Sequence, residues 1–122
     1  MTFRLVTYTL LFVAIVLTPN TVVYHQEPPH LEITRSTVTA YSSEVGQTDD
    51  TPFITASNKR VRDGIVANNC LPFGSKVVID GKVYVVEDRM NRRYDCDHFD
   101  VWMAETDDAW EWGKRNLAVI IL

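Results

Sequence analysis

The stretch VYVVEDRMNRRYDCDHFDVWM, residues 83–103, contains two short apolar runs, and each of them carries an aspartate. Asp88 ends the first run and Asp100 lies inside the second, with an Arg- and Asp-rich connection between them. Short runs of β-branched and aromatic residues predict strands. An ionised carboxylate at a strand position loses hydration that it does not easily regain. We therefore interpret the pair as two acids that a rigid sheet holds close together for chemistry.

The N-terminal part of the chain is apolar and reads as a targeting segment. Residues 5–17 carry no charge and follow Arg4, which is the pattern of a secretory signal. A membrane span needs about 20 apolar residues, and the segment reaches that length only if it extends to Val23 across Pro19 and Asn20. We predict an exported protein, with a cleaved signal and a retained membrane tether over residues 5–23 both left open.

These features divide the chain into three parts. We predict a signal peptide or N-terminal membrane anchor over residues 1–24, a proline-containing linker over residues 25–35 and one domain over residues 36–122. A domain of that length can bury one small core.

Within that domain, short runs separated by polar turns predict a mainly β fold. The predicted strands and apolar runs are Ser36–Ser42, Ile54–Asn58, Gly64–Ala67, Ser75–Ile79, Lys82–Val86, His98–Met103 and Asn116–Leu122. Asp80 and Gly81 form the strongest two-residue hairpin signal in the chain. Residues 106–113 predict a short helix with Thr106 as its N-cap and Gly113 as its stop. Many short strands with one or two short helices indicate a small β-barrel.

Charge and cysteine content exclude several classes of function. The formal net charge is −4 and the basic residues form no stripe, so we predict no nucleic-acid partner. Cys70 and Cys96 are too few for a disulfide scaffold, although one bridge or two free thiols remain open. A zinc site built from these cysteines and His98 lacks the paired C-x-x-C spacing. We therefore predict neither a metal nor a cofactor.

Seven short motifs follow one another along the predicted domain: Thr39–Tyr41, Thr55–Ser57, Gly64–Ala67, Leu71–Gly74, Val86–Asp88, Phe99–Trp102 and Ala109–Gly113. In this order they resemble the motifs of the 3D (three-aspartate) domain family. The resemblance covers residues 36–122 and implies a six-stranded double-psi β-barrel, related to the catalytic barrel of membrane-bound lytic transglycosylase A. The complete expected fold is this barrel preceded by an N-terminal hydrophobic helix.

The resemblance also implies roles for individual residues. Asp88 matches the aspartate of the family's Glu/Gln-Asp-Thr-Gly segment, and Asp100 matches the catalytic acid of the lytic transglycosylases. Thr55 matches a threonine that faces the substrate cleft. Tyr41 is a further candidate for the cleft lining. His98 lies two residues before Asp100, so both side chains are expected on one face of a strand.

The chain departs from the family at the first of the three aspartates. Asn69 stands in a shortened loop at that place and can keep only a hydrogen-bonding role toward substrate. Arg89-Met90-Asn91 replaces the family's Thr-Gly-Gly. A disulfide between Cys70 and Cys96 would pin the shortened loop.

The implied substrate and partner is the glycan strand of peptidoglycan. A lytic transglycosylase uses one carboxylic acid with a raised pKa to protonate the bridging oxygen. The same group then takes the proton from the C6 hydroxyl of the sugar, which closes a 1,6-anhydro ring. We expect a murein lytic transglycosylase with Asp100 as acid/base and Asp88 as its support. It would act as an exported monomer outside the cytoplasmic membrane, and a hydrolase is the less favoured chemistry.

Other interpretations stay open at this point. Without the resemblance, Asp88 is more simply a strand-end residue paired with Arg89 or Arg92, and Asp100 an exposed strand position. The missing third aspartate favours a non-catalytic glycan-binding barrel. A secreted barrel that acts through protein contacts is the third alternative.

Overall fold

The computed structural model describes residues 31–44 and 51–122 of the chain. Its elements are β1 (Glu32–Tyr41), β2 (Ile65–Ala67), β3 (Lys76–Ile79), β4 (Lys82–Asp88), β5 (His98–Trp102), α1 (Thr106–Trp112) and β6 (Arg115–Ile121). The predicted signal or anchor, its hydrophobic helix and residues 25–30 of the predicted linker lie outside the described residues. In the two described ranges, no helix is both long and apolar enough to cross a membrane.

The strands close into a barrel in the order β1-β5-β2-β4-β3-β6. The pairs β1–β5 and β2–β4 are parallel, and the other four pairs are antiparallel. Closure leaves no edge strand whose backbone groups are open to pairing with another chain. The predicted mainly β class, the six-stranded barrel and a short helix are confirmed.

Alternate residues of the strands form one core. Its buried members are Val38, Val66, Val77, Ile79, Tyr84, Val86, Phe99, Val101 and Val119. On β5, Phe99 and Val101 belong to this core, so His98 and Asp100 point to the opposite face. Burial of apolar area drives the packing, and the alternation therefore decides which residues of β5 can form a site.

The β3–β4 hairpin follows the local sequence signal. Asp80 and Gly81 adopt φ angles of 49° and 76°, and Ile79 lies opposite Lys82 in the register. Positive φ at both central residues is the requirement of a type I′ turn. The predicted hairpin is confirmed.

The first strand begins earlier than the sequence predicted. β1 starts at Glu32 rather than Ser36, so it extends into the range assigned to the linker. Residues 32–35 pair with β6, from Glu32 opposite Ile121 to Arg35 opposite Ala118. Pairing across the barrel outweighs the weak strand pattern of these residues, because strand preference depends strongly on the neighbouring strand.

Two local predictions were wrong in detail. The run from Ile54 to Asn58 is no strand; Ile54 makes a single bridge with Arg60, and Asn58 turns the chain with a φ of 62°. The N-cap of α1 is Glu105 rather than Thr106, and no side chain caps the helix. The hydroxyl of Thr106 instead donates a hydrogen bond of 2.7 Å to Oε1 of Glu44.

A disulfide joins Cys70, which follows β2, to Cys96, which precedes β5. The neighbouring Asn68 is fully buried, and its amide group donates to the carbonyl oxygens of Cys96 and His98 at 2.9 and 3.0 Å. Its Oδ1 accepts the backbone N–H of Cys70 at 2.9 Å. The bridge and one asparagine therefore fasten the same two segments.

Replacing both cysteines by serine is expected to lower the free energy of unfolding by about 3 kcal/mol, because the bridge closes a loop with a sequence separation of 26. Denaturant titration with and without reductant measures the effect. The reductant should destabilise the wild type and leave the double variant unchanged; equal wild-type midpoints in both conditions would contradict a stabilising bridge.

Candidate functional site

The strand order aligns four residues in one row across the barrel. Thr39 of β1 lies opposite Asp100 of β5, and Asp100 lies opposite Ala67 of β2. Ala67 lies opposite Asp88 of β4, beside an irregularity in the β2–β4 ladder. Neighbouring strands are about 4.8 Å apart, so the backbones of the two aspartates are about 10 Å apart. The residue between them carries only a methyl group, which leaves room for both carboxylates.

Three hydrogen bonds fix the carboxylate of Asp88. The Tyr41 hydroxyl donates to Oδ2 at 2.7 Å, while the backbone N–H groups of Ala56 and Arg89 each donate to Oδ1 at 2.9 Å. Burial and the adjacent negative charge of Asp88 raise the pKa of Tyr41. Tyr41 therefore keeps its proton and remains a donor to Asp88.

The turn that supplies the Ala56 amide is anchored by Glu87. This buried side chain accepts hydrogen bonds from Nζ of Lys59 at 2.8 Å and from the guanidinium of Arg62 at 2.6 Å. The hydrogen bond from Arg62 is the largest of the effects that lower the pKa of Glu87. A buried carboxylate with its cationic partners is tolerated in the fold, whereas removal of one partner strongly lowers the free energy of unfolding. Glu87 thus holds the turn against β4 and has a structural role.

Asp100 has a different environment. Its Oδ1 accepts a hydrogen bond of 2.8 Å from the Thr39 hydroxyl, and no ion pair to it is found among the described residues. Burial and the charge of Asp88 outweigh the hydrogen bond from Thr39 and raise the pKa of Asp100 to about 6. A carboxyl group with a pKa near the working pH is suited to general acid–base chemistry.

His98 reaches Asp100 through Thr39. As predicted, it lies on the same face of β5, and its Nε2 is 3.0 Å from the Thr39 hydroxyl oxygen. Burial and the nearby charge of Lys114 lower the pKa of His98, which keeps it neutral at pH 7. Because the Thr39 hydroxyl donates to Asp100, its oxygen accepts from Nε2–H of His98. The three side chains form one hydrogen-bonded chain, and the ring centroid of Tyr94 lies 4.5 Å from that of His98.

The two aspartates line one cleft of about 560 Å³. Its other lining residues are Tyr41, Thr51, Pro52, Ile54, Ala67, Arg89, Met90, Asn91, Arg93 and Tyr94. A second depression of about 480 Å³ lies near Trp102 and α1 and contains neither aspartate. The titratable pair therefore marks the first of these as the candidate site.

Three predicted binding residues lie outside the cleft lining, namely Thr55, Asn69 and His98. Thr55 is buried, and its hydroxyl accepts the backbone N–H of Lys59 at 3.1 Å. The Asn69 amide donates to the carbonyl oxygens of Asn91 and Tyr94 at 3.0 and 3.2 Å. The structure thus brings Asp88, Asp100 and Tyr41 together, with His98 one hydroxyl away. Substrate contacts by Thr55 and Asn69 stay predictions.

The hydrogen bond from Thr39 to Asp100 and the place of Arg89 and Arg93 in the cleft lining were not predicted from the sequence. Thr39 precedes Tyr41 by two residues on the first predicted strand, so a shared face was readable from the alternation. Its position opposite Asp100 depends on the pairing register of β1 and β5, which cannot be predicted from the local sequence. No ion pair joins Asp88 to Arg89 or Arg92 in the described part of the chain. The Arg89 guanidinium instead donates to the carbonyl oxygen of Asn68 at 2.7 Å.

Fold and site together define a small closed β-barrel with a cleft that contains two aspartates. No protein-family model matches the chain, and no curated protein matches it. Among residues 31–44 and 51–122, no group of three or more His, Cys, Asp or Glu side chains has an arrangement that could hold a metal ion.

Substituting Thr39 by valine is expected to raise the pKa of Asp100 above about 6, because the hydrogen bond from Thr39 favours the charged carboxylate. Carboxyl ¹³C NMR titration of Asp100 measures the change. Thr37→Val is the matched control on the same face of β1, since no side-chain hydrogen bond joins Thr37 to Asp100. An unchanged Asp100 titration in Thr39→Val would exclude Thr39 as a determinant.

Proposed function

We propose that this protein cleaves the glycan strands of peptidoglycan as a lytic transglycosylase of the 3D-domain type, with Asp100 as the acid/base. The observation that carries the proposal is the environment of Asp100, a carboxyl group with a pKa of about 6 in a cleft beside a second aspartate. Such a group can hold a proton near neutral pH and release it to a leaving oxygen.

The fold supports the family assignment at the level of architecture. A closed six-stranded barrel with two parallel strand pairs is compatible with the double-psi arrangement. Five of the seven resembling motifs contribute residues to the site or its supports, through Tyr41, Thr55, Ala67, Asp88 and Asp100. Export and a monomeric state belong to the same proposal.

In the proposed reaction, protonated Asp100 donates its proton to the glycosidic oxygen between the two sugars as the bond to the anomeric carbon breaks. Positive charge then develops at that carbon. The Asp100 carboxylate next removes the proton from the C6 hydroxyl of the same sugar, whose oxygen bonds to the anomeric carbon and closes the 1,6-anhydro ring. Asp100 ends the cycle protonated, so atoms and charge balance without water or a covalent enzyme intermediate.

Asp88 and Tyr41 have supporting roles in this scheme. Three hydrogen bonds keep the Asp88 carboxylate fixed, so its charge is preorganised toward the developing positive charge of the sugar. The same charge helps to raise the pKa of Asp100. Tyr41, which stays protonated, fixes the orientation of Asp88.

One observation favours the second candidate, a non-catalytic glycan-binding barrel. The side chain of Asn69, at the place of the missing third acid, is occupied by loop carbonyl oxygens and by the backbone N–H of Met90 at 2.8 Å. It adds no acidic group to the cleft. Product analysis distinguishes this candidate from the lytic enzyme.

Asp100→Asn is expected to lower the release of 1,6-anhydromuropeptides from purified peptidoglycan by at least about 100-fold, because the variant has no proton to donate. Mass spectrometry of the digest measures the product. Asp95→Asn, at an exposed acid of the preceding loop, is the matched control and should keep wild-type turnover. Reducing-end products from the wild type would identify a hydrolase; binding without product would support the second candidate.

Stability provides a separate readout for the same variant. The folded-state pKa of Asp100 is raised from 3.8 to about 6, so the native state binds more protons than the unfolded state between these values. Stability is therefore lost as the pH rises through this window, by up to about 3 kcal/mol. Asp100→Asn should be more stable than the wild type at pH 7 and similar to it near pH 4, and denaturant titrations at the two pH values test this. A variant less stable at pH 7 would contradict the raised pKa of Asp100.

A further inference from the structure

The cleft has a basic side as well as an acidic pair. Arg89 and Arg93 both line it, and neither forms an ion pair with a carboxylate in the described part of the chain. The carboxylate of Asp88, next to Arg89 in sequence, accepts the backbone N–H of Arg89, whereas the Arg89 guanidinium reaches the Asp88 carbonyl oxygen at 3.4 Å. Two guanidinium groups thus lie in an acid-containing cleft without neutralising the acids.

The two arginines differ in how far their donors are occupied. The Arg89 guanidinium donates to the carbonyl oxygen of Asn68 at 2.7 Å and lies 3.8 Å from the ring centroid of Phe73. These contacts give Arg89 a structural role. Arg93 is exposed, donates from Nη2 to the Tyr94 hydroxyl at 2.9 Å and lies farther from its neighbouring ring, 4.9 Å from the centroid of Tyr94. A guanidinium has five N–H donors, so Arg93 keeps most of its capacity for a ligand.

The loop that carries Arg93 is fixed in place. Asn91 Oδ1 accepts the backbone N–H of Arg93 at 3.0 Å, and the Asn91 carbonyl oxygen accepts that of Tyr94 at 3.1 Å. The side chain of Asn69 binds this turn through three hydrogen bonds, and the disulfide at Cys96 closes the loop. A preorganised loop loses little conformational entropy when a ligand binds.

We infer that Arg93 is a binding site for a carboxylate of the glycan and that the cleft selects acidic over neutral glycans. The inference rests on the proposed function, because it takes the cleft to hold a glycan strand. A guanidinium binds a carboxylate through two parallel hydrogen bonds, which fix its orientation as well as its position. Asp88 and Asp100 repel an anionic ligand, so a sugar that carries a carboxylate needs a cation at the wall of the cleft.

Peptidoglycan supplies this chemistry from two sources. Strands stripped of peptide carry a free carboxylate on the 3-O-lactyl group of each muramic acid. In peptide-bearing strands that carboxyl group is in an amide bond, and the free carboxylates lie on the stem peptide. Chitin oligosaccharides have the same β-1,4 backbone of N-acetylated sugars and no carboxylate, so they form the neutral comparison.

The test measures binding by calorimetry in an Asp100→Asn background, which prevents turnover. The probes are a peptide-free muramyl tetrasaccharide, the same compound with its carboxyl groups converted to methyl amides, a peptide-bearing tetrasaccharide and chitotetraose. We expect about tenfold tighter binding of a free-carboxylate probe than of chitotetraose. Arg93→Gln should abolish this preference and Arg93→Lys should retain part of it.

Arg92→Gln is the matched control, since Arg92 is the exposed neighbour and lies outside the cleft lining. It should leave the preference unchanged. Tighter binding of only the peptide-free probe would show that Arg93 binds the lactyl carboxylate. Tighter binding of only the peptide-bearing probe would show that it binds a carboxylate of the stem peptide. Equal affinity for acidic and neutral probes would overturn the Arg93 inference and leave the glycan cleft intact. Absence of binding to all four probes would overturn the glycan cleft itself.

Discussion

The site depends on one short strand, β2, whose three residues pair with β4 and whose last two, Val66 and Ala67, also pair with β5. Because side chains alternate along a strand, a slip of one residue would turn Ala67 toward the core and Val66 toward the site. The bulkier valine would then lie between Asp88 and Asp100. The register of β2 therefore sets both the separation of the two acids and the space available to a ligand above them.

Two acids of the barrel, Glu87 which is buried and Asp100 which is half-buried, show how hydrogen-bond partners separate a structural role from a chemical one. Glu87 is buried with Lys59 and Arg62, and these cations lower its pKa. Asp100 is half-buried beside another carboxylate with a hydroxyl group as its hydrogen-bond donor, and its pKa is raised. The first arrangement stabilises a turn, whereas the second is unfavourable for folding at neutral pH. An acid kept at such a cost is a better candidate for function than one that is fully paired.

Local sequence predicted the features that local forces determine. The hairpin at Asp80 and Gly81, the end of the helix at Gly113 and the shared face of His98 and Asp100 all follow from turn chemistry or strand alternation. They require no knowledge of distant segments, so a single sequence contains enough information to predict them.

The features that were missed depend on pairing between distant segments. Glu32 joins a strand because β6 lies beside it, and Thr39 meets Asp100 because β1 and β5 run parallel in one register. The hydrogen bonds of the Asn69 amide group to the loop that follows Asp88 were not predicted either, and its substrate contact stays a prediction. Strand register and loop closure arise from the whole barrel, so neither was readable from residue patterns.

The disulfide-closed loop has a consequence for how this barrel can change over time. The two acids lie on strands whose register is set by the core. Arg93 and Tyr94, which also line the cleft, belong to the connection between β4 and β5. Substitutions in that connection can alter the charge presented to a ligand without moving either acid. Substitution can therefore change the charge along the cleft separately from the two aspartates, and the covalent bridge holds the Cys96 end of the connection in place while its sequence diverges.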